Sequence, residues 1–171
     1  MKSKFSQSIG TGSLGETRRP RTLAELDRYT IERSIQGSSR ATILIAEDDE
    51  DSRFMTRTLL EMKGYRVLEA RAGEEAVEAA LSKQPDLVLL DLELPGLDGL
   101  KVTHDLWLND KTREMPIVIV SGWDPSEREH AALAAGCNEY LLKPIDFEQL
   151  ESILNRYLPL HSTASAPTSA S

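Results

Sequence analysis

Acidic, hydroxyl and amine side chains stand at the ends of short apolar runs, where they could act together in one site. The side chains are Glu47, Asp48, Asp91, Ser121 and Lys143, and the runs that they end or follow are TILIA (42–46), LVLLD (87–91), PIVIV (116–120) and EYLL (139–142). Two carboxylates about 4 Å apart repel each other by roughly 4 kcal/mol at an effective dielectric constant of about 20. If the acids converge, they therefore need a proton or a cation.

Magnesium is the cation that these residue types favour. The four segments around the acids contain no His and no Cys, so only oxygen ligands are available. Mg²⁺ binds through one or two carboxylates, water and phosphate oxygens. Lys143 could hold a phosphoryl oxygen as a fixed positive charge.

Asp91 is the strongest functional candidate among the acids. Burying its carboxylate at the end of an apolar strand costs free energy unless a cation or hydrogen bonds compensate for the lost hydration. Asp49 is expected to cap the following helix.

Five β-rich runs alternate with helical segments through the middle of the chain; they lie at 42–46, 66–70, 87–91, 116–120 and 139–142. Three of the runs are continuously apolar, which is typical of parallel strands that are covered on both faces. The helical spacing of Met55, Leu59 and Met62 predicts that they form the buried face of the first helix. The fourth helix is expected over 126–135, with Gly136 as its C-cap. The alternation predicts a doubly wound α/β fold. Such folds bind ligands at the carboxyl ends of their strands.

Composition and charge limit the classes of function. The chain has 171 residues, with 28 Asp and Glu against 20 Lys and Arg and a net charge of −8. This length suits one domain, and the negative charge argues against direct binding to nucleic acid or to an anionic membrane. The single Cys137 excludes an internal disulfide. Since neither a signal sequence nor an apolar run of roughly 18 residues is found, a cytoplasmic location is expected.

The two ends of the chain differ in composition from its middle. Residues 1–40 are poor in apolar side chains and are expected to be a mostly flexible extension. A short amphipathic helix is expected within it over 22–36, where Thr22 and Glu25 form a capping-box pattern. Residues 159–171 are of low complexity and are expected to be disordered. The folded domain is expected over 41–158.

Four segments resemble the motif blocks of response-regulator receiver domains of two-component signalling. They are ILIAEDDEDSR (43–53), LVLLDLELPGLDG (87–99), PIVIVSG (116–122) and EYLLKP (139–144). The resemblance implies a flavodoxin-like fold with five parallel strands in the order 2-1-3-4-5. It also implies a stand-alone receiver, because both flanking segments are too short for an output domain.

The resemblance implies a role for each acidic residue. Asp91, exposed at its strand tip, would accept a phosphoryl group from a sensor histidine kinase or a phosphotransfer protein and become 4-aspartylphosphate. Asp48 would bind Mg²⁺ directly, Glu47 mainly through water, and Glu93 through its main-chain carbonyl. The turn residues at 95–99 would bend the chain tightly before the next helix and keep this loop beneath the metal.

Other residues would bind the phosphoryl group, respond to it and set its lifetime. Lys143 and Ser121 would contact its oxygens, and Tyr140 would turn inward with Ser121. The fourth helix, fifth strand and fifth helix would then bind an unknown downstream protein or a second copy in a phosphorylation-dependent dimer. Glu93 and Trp123 would flank the path of an attacking water, so slow self-dephosphorylation is expected. Contact with nucleic acid or membrane is not expected.

Three other functions fit parts of this pattern. A magnesium-dependent phosphatase similar to haloacid-dehalogenase enzymes would use Asp91 as nucleophile and an acid two residues later, at Glu93. That class has Asp at this second position, and a small hydroxyl residue or Val where this chain has Pro95. A degenerate receiver that only docks is disfavoured, because the acids, hydroxyl and lysine are all present. A nucleotide-binding flavodoxin-like protein would need a Gly-rich phosphate loop after the first strand, and this chain has none there.

Overall fold

Within residues 40–158, which the computed structural model describes, five strands alternate with five helices. The strands are β1 (Thr42–Ala46), β2 (Arg66–Ala70), β3 (Leu87–Asp91), β4 (Ile117–Ser121) and β5 (Glu139–Leu142). The helices are α1 (Glu50–Met62), α2 (Gly73–Lys83), α3 (Gly99–Leu108), α4 (Pro125–Ala135) and α5 (Phe147–Tyr157). None of these helices is long and apolar enough to cross a bilayer. The predicted helix over 22–36 and the predicted tail over 159–171 lie outside the described residues.

The strands form one parallel sheet in the order β2-β1-β3-β4-β5. This order confirms the predicted doubly wound, flavodoxin-like fold. The register pairs Ala46 of β1 with Leu90 of β3, and Asp91 of β3 with Val120 of β4. The carboxyl ends of β1, β3 and β4 therefore end side by side, at the point where the strand order reverses.

Both faces of the sheet are covered, as the apolar runs predicted. Successive side chains of a strand point to opposite faces, so β1 contributes Leu44 to one core and Ile43 to the other. The first core packs the sheet against α2, α3 and α4, and the second packs it against α1 and α5. β3 and β4 are buried along their whole length. The three central strands are thus held from both sides, which fixes the positions of their ends.

The predicted buried face of α1 is wrong. Met55 is exposed and Met62 is 81% exposed. The residues of α1 that face the sheet are instead Arg53, Thr56 and Leu60. The apolar spacing misled the prediction because a buried arginine stands at the start of the inward face, where its hydrogen bonds replace apolar packing.

β4 and α4 each differ by one residue from the predicted bounds. The predicted fourth strand ran over 116–120, but the strand begins at Ile117 and ends at Ser121, which also pairs with β5. The fourth helix begins at Pro125 rather than at 126, since proline suits the first position of a helix and Asp124 caps it by accepting a hydrogen bond from the Ser126 amide. The helix ends at Ala135, and the predicted Gly136 is its C-cap, with a φ of 111° in the left-handed region.

Candidate functional site

The carboxyl ends of four strands bring the predicted site residues to one rim of the sheet. Asp91 is the last residue of β3 and Ser121 the last residue of β4. Glu47 follows β1 directly, and Lys143 follows β5 directly. The backbone also joins two of these positions, because the Lys143 amide donates a 2.8 Å hydrogen bond to the Ser121 carbonyl. The convergence predicted from the sequence is therefore present in the fold.

Three carboxylates form a cluster at this rim. Glu47, Asp48 and Asp91 each offer an oxygen, and these oxygens lie within 4.8 Å of one another. Glu47 and Asp91 are buried, whereas Asp48 is exposed. Mg²⁺ prefers hard oxygen ligands and usually keeps several waters, so it needs a site with one side open to solvent. The donor atoms and the open side at Asp48 both fit this ion.

Lys143 lies across the two buried acids. Its Nζ donates a 2.6 Å hydrogen bond to Glu47 Oε2 and another of 2.6 Å to Asp91 Oδ2. The expected exposure of Asp91 is wrong, because the residue is only 5% exposed. Its strand is covered on both faces and the lysine side chain lies against its carboxylate. One ammonium thus contacts two of the three carboxylates, and the acidic groups of the cluster outnumber it.

Burial and neighbouring charges shift the protonation of this cluster. Burial raises the pKa of Glu47 and the nearby Asp91 charge raises it further, while the hydrogen bond from Lys143 opposes both effects. Burial works to lower the pKa of Lys143, but its hydrogen bonds and charge contacts with Asp91 and Glu47 outweigh this and raise it. The lysine therefore stays charged, and the ionised Glu47 is less favourable in the folded protein than in water.

We expect the Glu47→Gln substitution to reveal this effect as a function of pH. The folded-state pKa of Glu47 lies above its ordinary value of 4.5. The contribution of Glu47 to the free energy of unfolding is therefore fully present below the pKa that Glu47 has in the unfolded chain. This contribution is lost as the pH rises through the pKa that Glu47 has in the folded protein. In EDTA, warming scans from about pH 4 to about pH 8 should show the parent losing stability relative to Glu47→Gln. A difference in melting temperature that is constant across this range would contradict the expectation.

The N-cap of α1 and one residue of its first turn hold the loop that carries Glu47 and Asp48. Asp49 caps the helix, as predicted, by accepting a 2.8 Å hydrogen bond from the Ser52 amide, and this bond lowers the pKa of Asp49. The second residue, Arg53, was not predicted from the sequence. Arg53 is 4% exposed, and its guanidinium donates to the main-chain carbonyls of Glu47 and Asp48. A charged residue at an inward helical position, five residues after Asp48 of the acidic pair, was the available signal.

Trp123 connects several predicted residues on the other side of the rim. Its indole Nε1 donates a 3.0 Å hydrogen bond to Glu93 Oε1, and the Arg128 guanidinium lies 4.9 Å from the ring centroid. Its amide donates to Ser121 Oγ at 3.1 Å, and its carbonyl accepts from the Tyr140 hydroxyl at 2.9 Å. The two residues expected to set the phosphoryl lifetime therefore contact each other, and the two expected switch residues both contact Trp123.

The loop between β3 and α3 lies very close to its neighbours. A Cβ on Gly99 would lie 2.4 Å from the Asp91 carbonyl oxygen, and one on Gly73 of α2 would lie 2.0 Å from the Leu97 carbonyl oxygen. Gly96 has a φ of 78°, which confirms the predicted tight turn. The Glu93 amide also donates a 2.9 Å hydrogen bond to Asp91 Oδ1. These contacts keep the loop directly against the end of β3.

Comparison with known proteins identifies the relatives of this chain. The family model described as the response regulator receiver domain matches residues 43–155. The polar-differentiation response regulator DivK of Brucella anthropi is 33% identical over 117 residues, which cover 68% of this chain and 95% of DivK. The similarity therefore extends over nearly the whole length of DivK.

Solved structures resemble the fold. The crystal structure of a putative response regulator from Chloroflexus aurantiacus has a TM-score of 0.66 and 30% identity, and the match covers 70% of this chain and 98% of that one. The receiver domain of a sensor histidine kinase from Pseudomonas aeruginosa has a TM-score of 0.65 and 31% identity, with the same coverage. That second structure holds a magnesium ion coordinated in its active site cleft.

Proposed function

Because this chain belongs to the family of response regulator receiver domains, which signal in two-component systems, we propose that Asp91 accepts a phosphoryl group. The donor is a phosphohistidine on a sensor histidine kinase or on a phosphotransfer protein. An oxygen of Asp91 forms the new bond to phosphorus while the bond from phosphorus to the donor nitrogen breaks. The observation that carries this proposal is the contact of Lys143 with the carboxylate of Asp91 inside a cluster of three acids.

Each site residue has a distinct task in this reaction. Asp48 and Asp91 would hold Mg²⁺ directly, Glu47 would do so mainly through water, and the main-chain carbonyl of Glu93 would complete the set. When bound, Mg²⁺ neutralises charge that develops on the phosphoryl oxygens. Lys143 exchanges part of its contact with the acids for a phosphoryl oxygen, which it holds as a point charge. Its 2.6 Å bonds to both buried acids support this task, because they keep the ammonium beside the acceptor.

Signalling follows from the new charge at Asp91. A phosphoryl group adds about −1.5 to −2 charges, enough to bias a surface with two arrangements. Ser121 turns its hydroxyl to the phosphoryl group and gives up the hydrogen bond from the Trp123 amide, and Tyr140 follows. The hydrogen bonds from Ser121 through Trp123 to Tyr140 support this coupling. The surface of α4, β5 and α5 then binds a downstream protein or a second copy of the chain.

Labelling with acetyl phosphate tests the proposed function. The protein is incubated with and without Mg²⁺, its intact mass is measured, and the acyl phosphate is located by borohydride reduction and peptide mapping. We expect one phosphoryl group, on the peptide that contains Asp91, and none in EDTA. A phosphatase would instead release many equivalents of nitrophenol from p-nitrophenyl phosphate and hold no stable label. That result, or a label on another residue, would contradict the proposal.

We expect Trp123→Ala to shorten the lifetime of the phosphoryl group. The indole donates a hydrogen bond to the carboxylate of Glu93, which lies two residues after Asp91 in the loop between β3 and α3, and both groups shield phosphorus from an attacking water. Removing the ring should speed hydrolysis severalfold, on the order of 1 kcal/mol in barrier height. Loss of label after removal of acetyl phosphate measures the rate.

Two further variants separate the causes of this effect. Trp123→Phe keeps an aromatic ring but loses the bond to Glu93, so an intermediate rate is expected if both bulk and the hydrogen bond matter. Trp107→Phe, on α3, is the control and should keep the parent rate. Equal lifetimes for the parent and Trp123→Ala would remove Trp123 from this role.

A further inference from the structure

We propose that Arg53 is a positioning residue for the metal site, which orients Asp48 through the main chain; this inference rests on the proposed binding of Mg²⁺ at the acidic cluster. Arg53 Nη1 donates a 2.9 Å hydrogen bond to the Glu47 carbonyl and one of 3.1 Å to the Asp48 carbonyl. No contact joins its guanidinium to the Asp91 carboxylate among the hydrogen bonds of the described residues. Arg53 therefore acts through the loop and not on the reacting atoms.

The two carbonyls belong to the peptide groups on either side of Asp48. Holding both oxygens fixes both peptide planes, and those planes set the φ and ψ angles of Asp48. Asp48 is exposed, so packing cannot fix the direction of its side chain. The guanidinium supplies this constraint from below the loop, at a site where it is 4% exposed and water competes little.

A carboxylate from the edge strand holds the guanidinium in place. Glu69 of β2 accepts a 3.1 Å hydrogen bond from Arg53 Nε, which also compensates the buried positive charge. The arrangement needs an arginine, because its planar fork can face Glu69 on one side and two carbonyls on the other. A lysine has a single point of charge and could satisfy only part of this set.

The neighbouring Arg57 is a natural control. It lies one turn further along α1 and also contacts Glu69, with a 3.0 Å distance from Nη1 to Oε2. Its other ion pair is with Glu61 on the same helix. Arg57 thus shares the helix, the residue type and the acidic partner with Arg53. Among the hydrogen bonds of the described residues, however, none connects Arg57 to the carbonyl of Glu47 or Asp48.

Titration with Mg²⁺ alone, without any phosphodonor, tests the inference. The dissociation constant is measured by calorimetry for the parent, Arg53→Met, Arg53→Lys and Arg57→Met, at a temperature where each variant is folded by circular dichroism. Loss of a partner that orients a metal ligand typically weakens binding about 10- to 100-fold, which is the range expected for Arg53→Met. Arg53→Lys should give a smaller loss, and Arg57→Met should bind like the parent.

Labelling rates provide a second readout. At saturating Mg²⁺, acetyl phosphate should label Arg53→Met at nearly the same rate as the parent. The Mg²⁺ concentration that gives half of the maximal labelling rate should rise by the same factor as the dissociation constant for Mg²⁺. A purely structural loss would lower the maximal rate instead. If Arg53→Met does not fold, the comparison of Arg53→Lys with Arg57→Lys decides the question, with weaker binding expected for the former.

Three outcomes would overturn the inference or its premise. Parent-like affinity in the Arg53 variants would refute the positioning role and leave the phosphoacceptor function untouched. Equal losses in the Arg53 and Arg57 variants would also refute it, since a general effect on α1 would then explain them. If the parent itself binds no Mg²⁺, both the inference and the proposed metal site fail. A parent that binds Mg²⁺ but takes no phosphoryl group would contradict the proposed function alone.

Discussion

Asp91→Asn is expected to take up no detectable phosphoryl group from acetyl phosphate in the presence of Mg²⁺. The amide has no anionic oxygen to attack phosphorus and cannot form an acyl phosphate. The fold should survive, because asparagine has nearly the same shape and still accepts the hydrogen bond that the Glu93 amide donates to Asp91 Oδ1. The melting temperature in EDTA should be no lower than that of the parent, since one of two acids that share Lys143 has lost its charge. Intact mass and thermal unfolding are the two measurements.

Asp98→Asn is the matched control for this substitution. Asp98 lies in the same loop and caps α3 by accepting a 2.9 Å hydrogen bond from the Lys101 amide. Asparagine is an equally good helix cap, so stability should be preserved. The variant should be labelled to the same extent as the parent. Label that persists in Asp91→Asn, for example at Asp48, would show that the acceptor has been misassigned.

Lys143→Met is expected to destabilise the metal-free protein and to slow labelling strongly. The substitution leaves Glu47 and Asp91 buried with no cation between them, and removal of one partner from a buried ion pair costs about 3 kcal/mol. Mg²⁺ should restore part of this loss, because an ion that binds only the folded state stabilises it. Urea unfolding in EDTA and in Mg²⁺ measures both effects, and intact mass follows the labelling.

Lys63→Met shows what the loss of an ordinary surface ion pair does. Lys63 Nζ lies 2.8 Å from Glu151 Oε2, and 51% of the Glu151 side chain is exposed to solvent, whereas the acidic partners of Lys143 are buried. Such pairs contribute about 0 to 1 kcal/mol, so this variant should unfold close to the parent and should show no special response to Mg²⁺. If Lys143→Met were as stable as Lys63→Met in EDTA, the two buried acids would not depend on the lysine for their charge balance.

The fold was predictable because its central strands are apolar on both faces. Only a sheet that is covered on both sides buries runs such as LVLLD and PIVIV completely, and the helical segments between them require parallel crossovers. The meeting of Asp91, Glu47 and Lys143 followed from the same argument, since parallel strands bring their carboxyl ends to one rim. These predictions depended on topology and not on any side-chain conformation.

Other features depend on side-chain contacts that spacing does not reveal. The inward face of α1 was misjudged because Arg53 is buried by hydrogen bonds to carbonyls, an option that apolar periodicity does not consider. The bond between Trp123 and Glu93 joins residues 30 positions apart and depends on the path of two loops. The burial of Asp91 depends on the cover over its strand and on the Lys143 side chain that lies against its carboxylate. Local sequence patterns contain none of this information.

The loop between β3 and α3 lies so close to its neighbours that some glycine positions should accept almost no substitution. At Gly99 and Gly73 the space beside the Cα atom is filled by main-chain oxygens of 91 and 97. A main-chain oxygen cannot turn aside as a side chain can, so even alanine would have to push the loop outward. In a saturation library screened for labelling, these two positions should return almost only glycine, whereas Gly122, which has no neighbour within 4 Å of that space, should have fewer steric limits.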